Sequence, residues 1–486
     1  MKFHALASAR PPIAAPIVGR DRAVSAAIAL SALALGAGIP LYLAIVGDGA
    51  AAVFALPLTV ALAALFFARK KTFFFLVLAA RSACDLVFES VRLSVAGGGP
   101  GLGGFVNASI IGLALLVVSK DEVMRRKPLL TAWAWFFGTT AYGFLLAPSK
   151  GESLRFILAW VSNFAVFYCA AVFVTSMKDF RTVLRVIVAS SILPVACGIV
   201  QVAGAGLAAL SSSRIQGTFT HPNIFAFYLA FVICIVFYQI KSPLQGGGMV
   251  RKALLALWMA VLAGMLGCTQ TRSAWLVCMA MFFSFGLLYE RRYLLYLLAG
   301  CCLALLVEPI RERIIDLSAP EVVTSQTKLD SFRWRVELWT AAFEWMEVKR
   351  ALFGYGIGAF SENAPIFFAR GDGIHWDAHN VYVQWLFDVG VIGLAAYVWI
   401  HYRLLYLLRP LAQVDRLLRF IVMVTVVSYL TVSFSDNMMF YLAFNWYYWL
   451  FLGAVSSLPG LPGLAIVASR SSRPESEPGR TFVLCK

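Results

Sequence analysis

The chain has 486 residues, 60% of them apolar and 14% charged, with a net charge of +16 and a mean hydropathy of +0.79. So apolar a composition excludes an ordinary soluble protein and predicts a polytopic membrane protein. It also excludes a nucleic-acid footprint, because no soluble surface is large enough to gather basic and aromatic side chains on one face.

Residues 1–23 are basic and lead into an apolar stretch with no convincing cleavage site, which predicts a cytoplasmic N-terminal segment followed by an uncleaved first helix. Windows long enough to cross about 30 Å of hydrocarbon fall at 24–46, 51–68, 72–91, 104–119, 129–147, 154–175, 182–205, 222–240, 253–269, 273–289, 291–307, 381–401, 417–435 and 438–456. The expectation is an all-α fold of about fourteen (twelve to fourteen) transmembrane helices. Its divisions are a membrane block at 24–307, a long helical loop at 308–380, a second membrane block at 381–456 and a disordered, Ser-, Pro-, Glu- and Arg-containing cytoplasmic tail at 457–486.

Basic residues recur in alternate loops, among them Arg69, Lys70 and Lys71; Lys120, Arg125, Arg126 and Lys127; Lys178, Arg181 and Arg185; Lys241, Arg251 and Lys252; and Arg403, Arg409, Arg416 and Arg419. Lys and Arg in short loops stay cytoplasmic. Both termini are therefore expected inside and the 308–380 loop outside. In the third window Arg81, Asp85, Glu89 and Arg92 share a helix face and suit internal ion pairs, with a proton path as the alternative. Eight of the nine cysteines (all but Cys485) lie in apolar windows with no disulfide framework or CxxC spacing.

Three polar stretches then stand out: "SSSRIQGTFTHPN" (211–223), "TQTRSAW" (269–275) and "DGIHWDAHNVY" (372–382). In this topology each lies just outside an inward-running helix, so each meets the membrane at a helix N-terminus, where unpaired N–H groups and the dipole favour an anion. Pro222 suits a first-turn position, with Thr220 or His221 as the cap. Arg214 and Arg272 have the guanidinium forks to grip a phosphate or diphosphate. Either one alone equally fits a residue snorkelling to lipid headgroups; their joint occurrence on the outer side, where positive charge is scarce, favours an anion site.

The loop carries "SFRWRVELW" (331–339), read as a helix with Arg333, Arg335 and Trp339, and "ALFGYGIGAF" (351–360), a Gly-punctuated return to the membrane. Its aromatics, such as Trp334, Trp339, Phe360, Phe368 and Trp376, fit either sugar stacking or, more simply, the bilayer surface. His379, beside Asn380 at a helix start, can take a proton near neutral pH. His375, Asp377 and His379 alternate as in some metal sites, though no further Cys or His is nearby except His221 and no paired-acid motif marks a metal–diphosphate site. Asp388 follows one to two turns into the twelfth window, and Asp436 begins an outer loop.

Arg214, Gly217, Phe219, His221, Pro222 and Asn223, then "TQTRSAW", Arg335 and Trp339, "GYGIGAF", and His379–Asn380 before "DVGVIGL" together resemble the O-antigen ligase and O-antigen polymerase superfamily of bacterial envelope proteins. The likeness covers about 210–400. It implies a glycosyltransferase-C-like fold in the bacterial inner membrane with its site facing the periplasm. It also implies inverting, metal-independent transfer of glycan from undecaprenyl diphosphate to an acceptor hydroxyl, with no cofactor. On that resemblance Arg214 and Arg272 bind the diphosphate, Arg335 is the loop arginine, His379 engages the acceptor, and His221, Asn223 and Asn380 line the site. The acceptor it implies is a lipid-linked repeat or lipid A–core, with membrane lipids and a chain-length regulator as further partners. "GTFTHPN" with "TQTRSAW" leans toward a polymerase of O-antigen or exopolysaccharide repeats over a ligase. A lipid-linked sugar transporter would place its polar residues near the bilayer midplane, whereas these gather at one face; a sensor or scaffold would need no such cluster.

Overall fold

The computed structural model describes residues 62–90, 102–118, 128–206, 214–315, 331–368 and 373–460, and among these every regular element is helical. The N-terminal segment 1–23, the windows at 24–46 and most of 51–68, Arg92, and the tail beyond 460 lie outside the described residues. Contacts divide the chain into Met1–Phe74 and Phe75–Lys486. The described part of the first unit is helical with one interruption at Arg69, and Phe66 meets Phe73 edge-on at 5.2 Å. Apart from residues 70–74, all that follows concerns the second unit.

The third window is not one helix. α1 (Lys70–Arg81) stops and α2 (Asp85–Ser90) restarts after a turn at 82–84. Other segments satisfy the freed backbone there: Ser82 N donates to Tyr447 Oη at 3.1 Å, Leu86 N to Thr218 O at 3.0 Å, and Ser82 O accepts from Thr218 Oγ1 at 2.6 Å. Arg81 and Asp85 pair at 2.8 Å, both buried, as the ion-pair reading expected; the Glu89 side chain lies outside the described residues.

The helices that follow are α3 (Leu102–Val118), α4 (Pro128–Leu146), α5 (Lys150–Phe173), α6 (Met177–Ser190), α7 (Ile192–Ala205), α8 (Pro222–Lys241), α9 (Met249–Cys268), α10 (Arg272–Leu288) and α11 (Arg292–Leu305). After them come α12 (Glu308–Ile315), α13 (Ser331–Trp345), α14 (Ala359–Phe367), α15 (Val381–Leu407), α16 (Leu411–Val414), α17 (Arg416–Val432) and α18 (Leu442–Ser457). Among the described residues, 6 stretches can cross a membrane by length and composition: Leu129–Leu146, Lys150–Phe173, Met177–Ala205, Pro222–Lys241, Met249–Cys268 and Val381–Val414. Gly103–Val117, α10 and α11 are shorter apolar helices. The described residues thus make a multi-pass all-helical membrane protein, and the count of about fourteen remains an expectation from hydropathy alone.

α8 and α18 form the centre. α18 packs on α5, α4 on α15, and α8 on α9. Lipid is as apolar as leucine, so close packing holds such helices together more than burial does. Gly453 shows this, since any side chain there would collide with the Phe167 carbonyl and Ala170 of α5. Polar clasps fix the registers. Asp415 caps α17 through Leu417 N and Leu418 N (2.9 and 3.1 Å) and accepts from Tyr238 Oη and Ser242 Oγ at the end of α8, both at 2.9 Å. At the opposite ends Asn223 Nδ2 donates to Asp436 Oδ2 at 2.9 Å. α8 and α17 therefore run antiparallel, their clasps about 22 Å apart at ~1.5 Å per residue.

The window at 381–401, expected as one membrane span, is sharply bent. Gly390 has φ 74° and ψ −174°, which no helix accommodates. Tyr382 and Tyr397 approach to ring centroids of 6.3 Å, whereas fifteen residues of straight helix would part them by about 22 Å. The two arms fold toward each other, and the Gly-punctuated segment of the loop fills the bend. Tyr355 N donates to Phe387 O (3.0 Å), Gly356 N to Asp388 O (2.8 Å), Val391 N to Ala351 O (2.9 Å) and Ile392 N to Leu352 O (3.3 Å). Irregular backbone in a membrane protein persists where protein satisfies it, and here the loop does so.

Asp388 locks the same junction. Its carboxylate accepts from Gly358 N (3.0 Å) and Phe360 N (2.8 Å), capping α14, and from Gln384 Nε2 (3.3 Å). The loop aromatics do not all lie on a bilayer surface as the simpler expectation had it. Trp339, Phe360 and Phe368 are buried in a cluster with Leu338, Ala378 and Phe387, because α13 and α14 dock on α15.

Candidate functional site

The start of α8 follows from its sequence. Pro at the first turn lacks only an N–H that has no helical partner anyway, and His221 is the cap, its Nδ1 accepting from Asn223 N at 3.1 Å. The preceding turn is pinned by Gln201 of α7, whose Oε1 accepts from Gln216 N (3.1 Å) and Gly217 N (3.0 Å) and whose Nε2 donates to Gly217 O (2.9 Å).

Arg214 reaches from this turn to the start of α10. Its Nε donates to Thr269 O at 2.9 Å, and its terminal nitrogen donates to Asn223 Oδ1 and, at 2.6 Å, to Thr271 Oγ1. One guanidinium thus stitches two helix N-termini together. Arg272, half-buried, is the first residue of α10.

The third N-terminus arrives through the segment 433–436. Val381 N donates to Ser433 O at 2.8 Å, and Arg335 on α13 donates to Ser435 O at 2.7 Å. Asp436, 2% exposed, accepts from Asn223 and from Tyr441 Oη. Burial pushes its carboxyl above the ordinary carboxylate range, while Tyr441 and the Arg335 and Arg214 guanidiniums pull the other way. A carboxylate here is the counter-charge of two arginines.

His379 stands beside this group, its ring 6.4 Å from that of Trp334. Burial first, then the positive Arg335 and the neighbouring His221, push its imidazole down to about 4. At neutral pH the ring is uncharged and has a lone pair to accept a proton. Asn380 is a cap: its Oδ1 accepts from Tyr382 N (2.9 Å) and Val383 N (3.2 Å), so it holds α15 in place. Asn223 likewise orients Arg214 against Asp436.

His375 faces elsewhere, its Nδ1 3.2 Å from Ser361 O and 3.8 Å from Glu362. Among the described residues no three His, Cys, Asp or Glu side chains are grouped to hold a metal ion. An open apolar groove of about 520 Å³, lined by Trp135, Thr139 and Tyr142 of α4 with Phe353, Val389 and Ile392, lies at the bend of α15 and contains none of the arginines.

The structure therefore gathers Arg214, His221, Asn223, Arg335 and His379, with Arg272 opening the adjoining helix. Sequence reasoning missed Thr271, Asp436 and Tyr441 as members. Asp436 had a signal, being the only acid between Asp415 and Glu475 in an otherwise apolar stretch, where an ionisable residue by default marks function. Thr271 and Tyr441 had none.

Residues 254–398 match the family described as O-antigen ligase. The match covers 145 of the 486 residues and marks a similarity to that family. No curated protein matches the chain. The matched part runs from α9 into the second arm of α15. It includes Arg272, Arg335 and His379, while Arg214, Asn223 and Asp436 lie outside it.

Proposed function

We propose that this protein transfers glycan from a polyprenyl diphosphate, of the undecaprenyl type, to a sugar hydroxyl, and that it polymerises O-antigen or exopolysaccharide repeats. The observation that carries the reading is the meeting of Arg214, Arg335 and His379 around buried Asp436 at the N-termini of α8 and α15, with Arg272 beginning α10. Such a set suits an anion that gains charge as a bond breaks. The acceptor oxygen attacks the anomeric carbon, the carbon–oxygen bond to the diphosphate breaks, and the electron pair leaves on the phosphate oxygen. Arg214, Arg272 and Arg335, pre-oriented, stabilise that charge as it develops. His379 takes the acceptor proton, an effect commonly worth about 10²–10⁴ in rate. Direct displacement inverts the anomeric centre and assigns no step to a metal.

The basic loops support an inner-membrane protein of about fourteen spans with both termini cytoplasmic and this site periplasmic. Purified protein in nanodiscs, incubated with undecaprenyl-diphosphate-linked repeats and a chelator, should build a ladder of longer lipid-linked glycans that His379→Ala slows by about 10²–10⁴-fold. A second reading, favoured by the family's description as O-antigen ligase, makes lipid A–core the acceptor. No ladder, but transfer once lipid A–core is supplied, would select it. Absence of transfer to either acceptor would sink both.

A further inference from the structure

Among the described residues only two non-glycine positions have positive φ, Gln270 at 52° and His379 at 49°. Each directly precedes the cap of a site helix, α10 and α15. A side chain with a Cβ is disfavoured in this region, so the surrounding structure has to impose it, and such residues cluster where function needs a fixed direction. What imposes it on His379 is visible one residue upstream. Ala378 N donates to Gln384 Oε1 at 2.8 Å, and Ala378 O accepts from Trp339 Nε1 at 2.7 Å. Downstream, Asn380 is held by its cap bonds and Val381 by Ser433 O.

We propose that Trp339 and Gln384 are positioning residues that grip Ala378 by both of its polar backbone atoms and so fix the left-handed backbone that aims the His379 ring at the anion cluster. The role given to that ring rests on the function proposed above; the grip itself does not.

Both gripping groups are side chains, so the conformation depends on residue identity at 339 and 384. Gln384 is 2% exposed, and its amide has one fitting orientation. Its NH₂ faces the Asp388 carboxylate at 3.3 Å, and its oxygen accepts from Ala378 N and, at 3.5 Å, from Asn437 Nδ2. Gln384 thus ties the loop anchor, the His379 segment and the residue after Asp436 to one amide. Trp339 lies one helical turn after Arg335 on α13. Docking of that helix therefore sets Arg335 against Ser435 O and the indole N–H against Ala378 O together.

Trp339→Phe keeps an aromatic ring in the cluster and removes the N–H donor together with part of the indole's bulk; Gln384→Met keeps length and removes both hydrogen-bonding atoms. In full-length protein labelled with ¹³C-histidine in nanodiscs, both variants should shift or broaden the His379 Cα resonance, assigned by its loss in His379→Ala. The signals of His221 and His375 should stay in place. In transfer assays kcat should fall about ten- to a hundredfold, as for a misplaced catalytic group, with donor KM within twofold. In a His379→Ala background the same substitutions should cost nothing more. An unmoved His379 Cα signal in both variants, or an undiminished additional loss in the His379→Ala background, would overturn the proposal. A wild-type protein inert toward every polyprenyl-diphosphate donor would sink the glycosyl-transfer reading, and the resonance shifts would still decide the grip.

Discussion

Replacing Gly390 by Ala tests whether the loop is held by backbone docking into the bend of α15. A methyl group there falls under 3.0 Å from Leu352 and Phe353 backbone atoms, and φ of 74° is itself strained for any residue with a Cβ. The strain costs about 1–3 kcal/mol. Backing the 351–356 chain away weakens its four backbone bonds to the bend, each worth about 0.5–1.5 kcal/mol net. Losing half of them brings the cost to about 2–6 kcal/mol. Two readouts apply in detergent or nanodiscs: thermal exposure of buried Cys169 and Cys234 to a thiol-reactive dye, and protease cleavage within 351–358. Gly390→Ala should lower the melting midpoint, open the loop to protease and reduce transfer. Gly264→Ala is the control, since Gly264 sits exposed in α9 with open space around it and should be neutral or slightly stabilising. Identical melting and cleavage for Gly390→Ala and wild type would refute backbone docking.

The pH profile of kcat/KM should keep its acid limb near pH 4, because His379 in the free protein is neutral until its lowered pKa is reached and only the neutral ring accepts a proton. The limb on kcat should lie higher, since a bound diphosphate offsets Arg335; an acid limb of kcat/KM near 6.5 would contradict the burial argument. Arg214→Lys should reduce kcat/KM roughly 10- to 100-fold, because a point charge cannot reach Thr269 O, Asn223 and Thr271 together and each charged bond is worth about 1.5–3 kcal/mol. Activity within twofold of wild type would show the fork to be idle. Asp388→Asn presents a donor to Gly358 N or Phe360 N and should loosen α14 by about 1.5–3 kcal/mol, seen as faster cleavage of the loop; unchanged cleavage would show the carboxylate is not its anchor.

Local rules carried the sequence reading furthest. His221–Pro222 declared a capped helix start because capping is a matter of adjacent residues, and the apolar windows gave most helices to within a few residues. What failed depended on partners far away in the chain. "DVGVIGL" looks helical, since an isolated glycine is tolerated in a helical pattern; the bend exists because Leu352 and Phe353 occupy the space at Gly390. The turn at 82–84 exists because Thr218 and Tyr447 satisfy it. The loop aromatics could not be divided between bilayer and interior until α13 and α14 were seen docked. Asp436 was visible as an acid but not as a member, because Asn223 is its partner across |i−j| of 213.

That long separation has a consequence for synthesis. Arg214 leaves the ribosome well before Asp436, and at about 5–20 residues per second the interval is roughly ten to forty seconds. Through that time the nascent chain holds its guanidiniums without their buried counter-carboxylate, and the starts of α8 and α15 lack the segment that draws them together. A chain that ends before residue 433 therefore lacks both that counter-charge and the carbonyls to which Arg335 and Val381 donate.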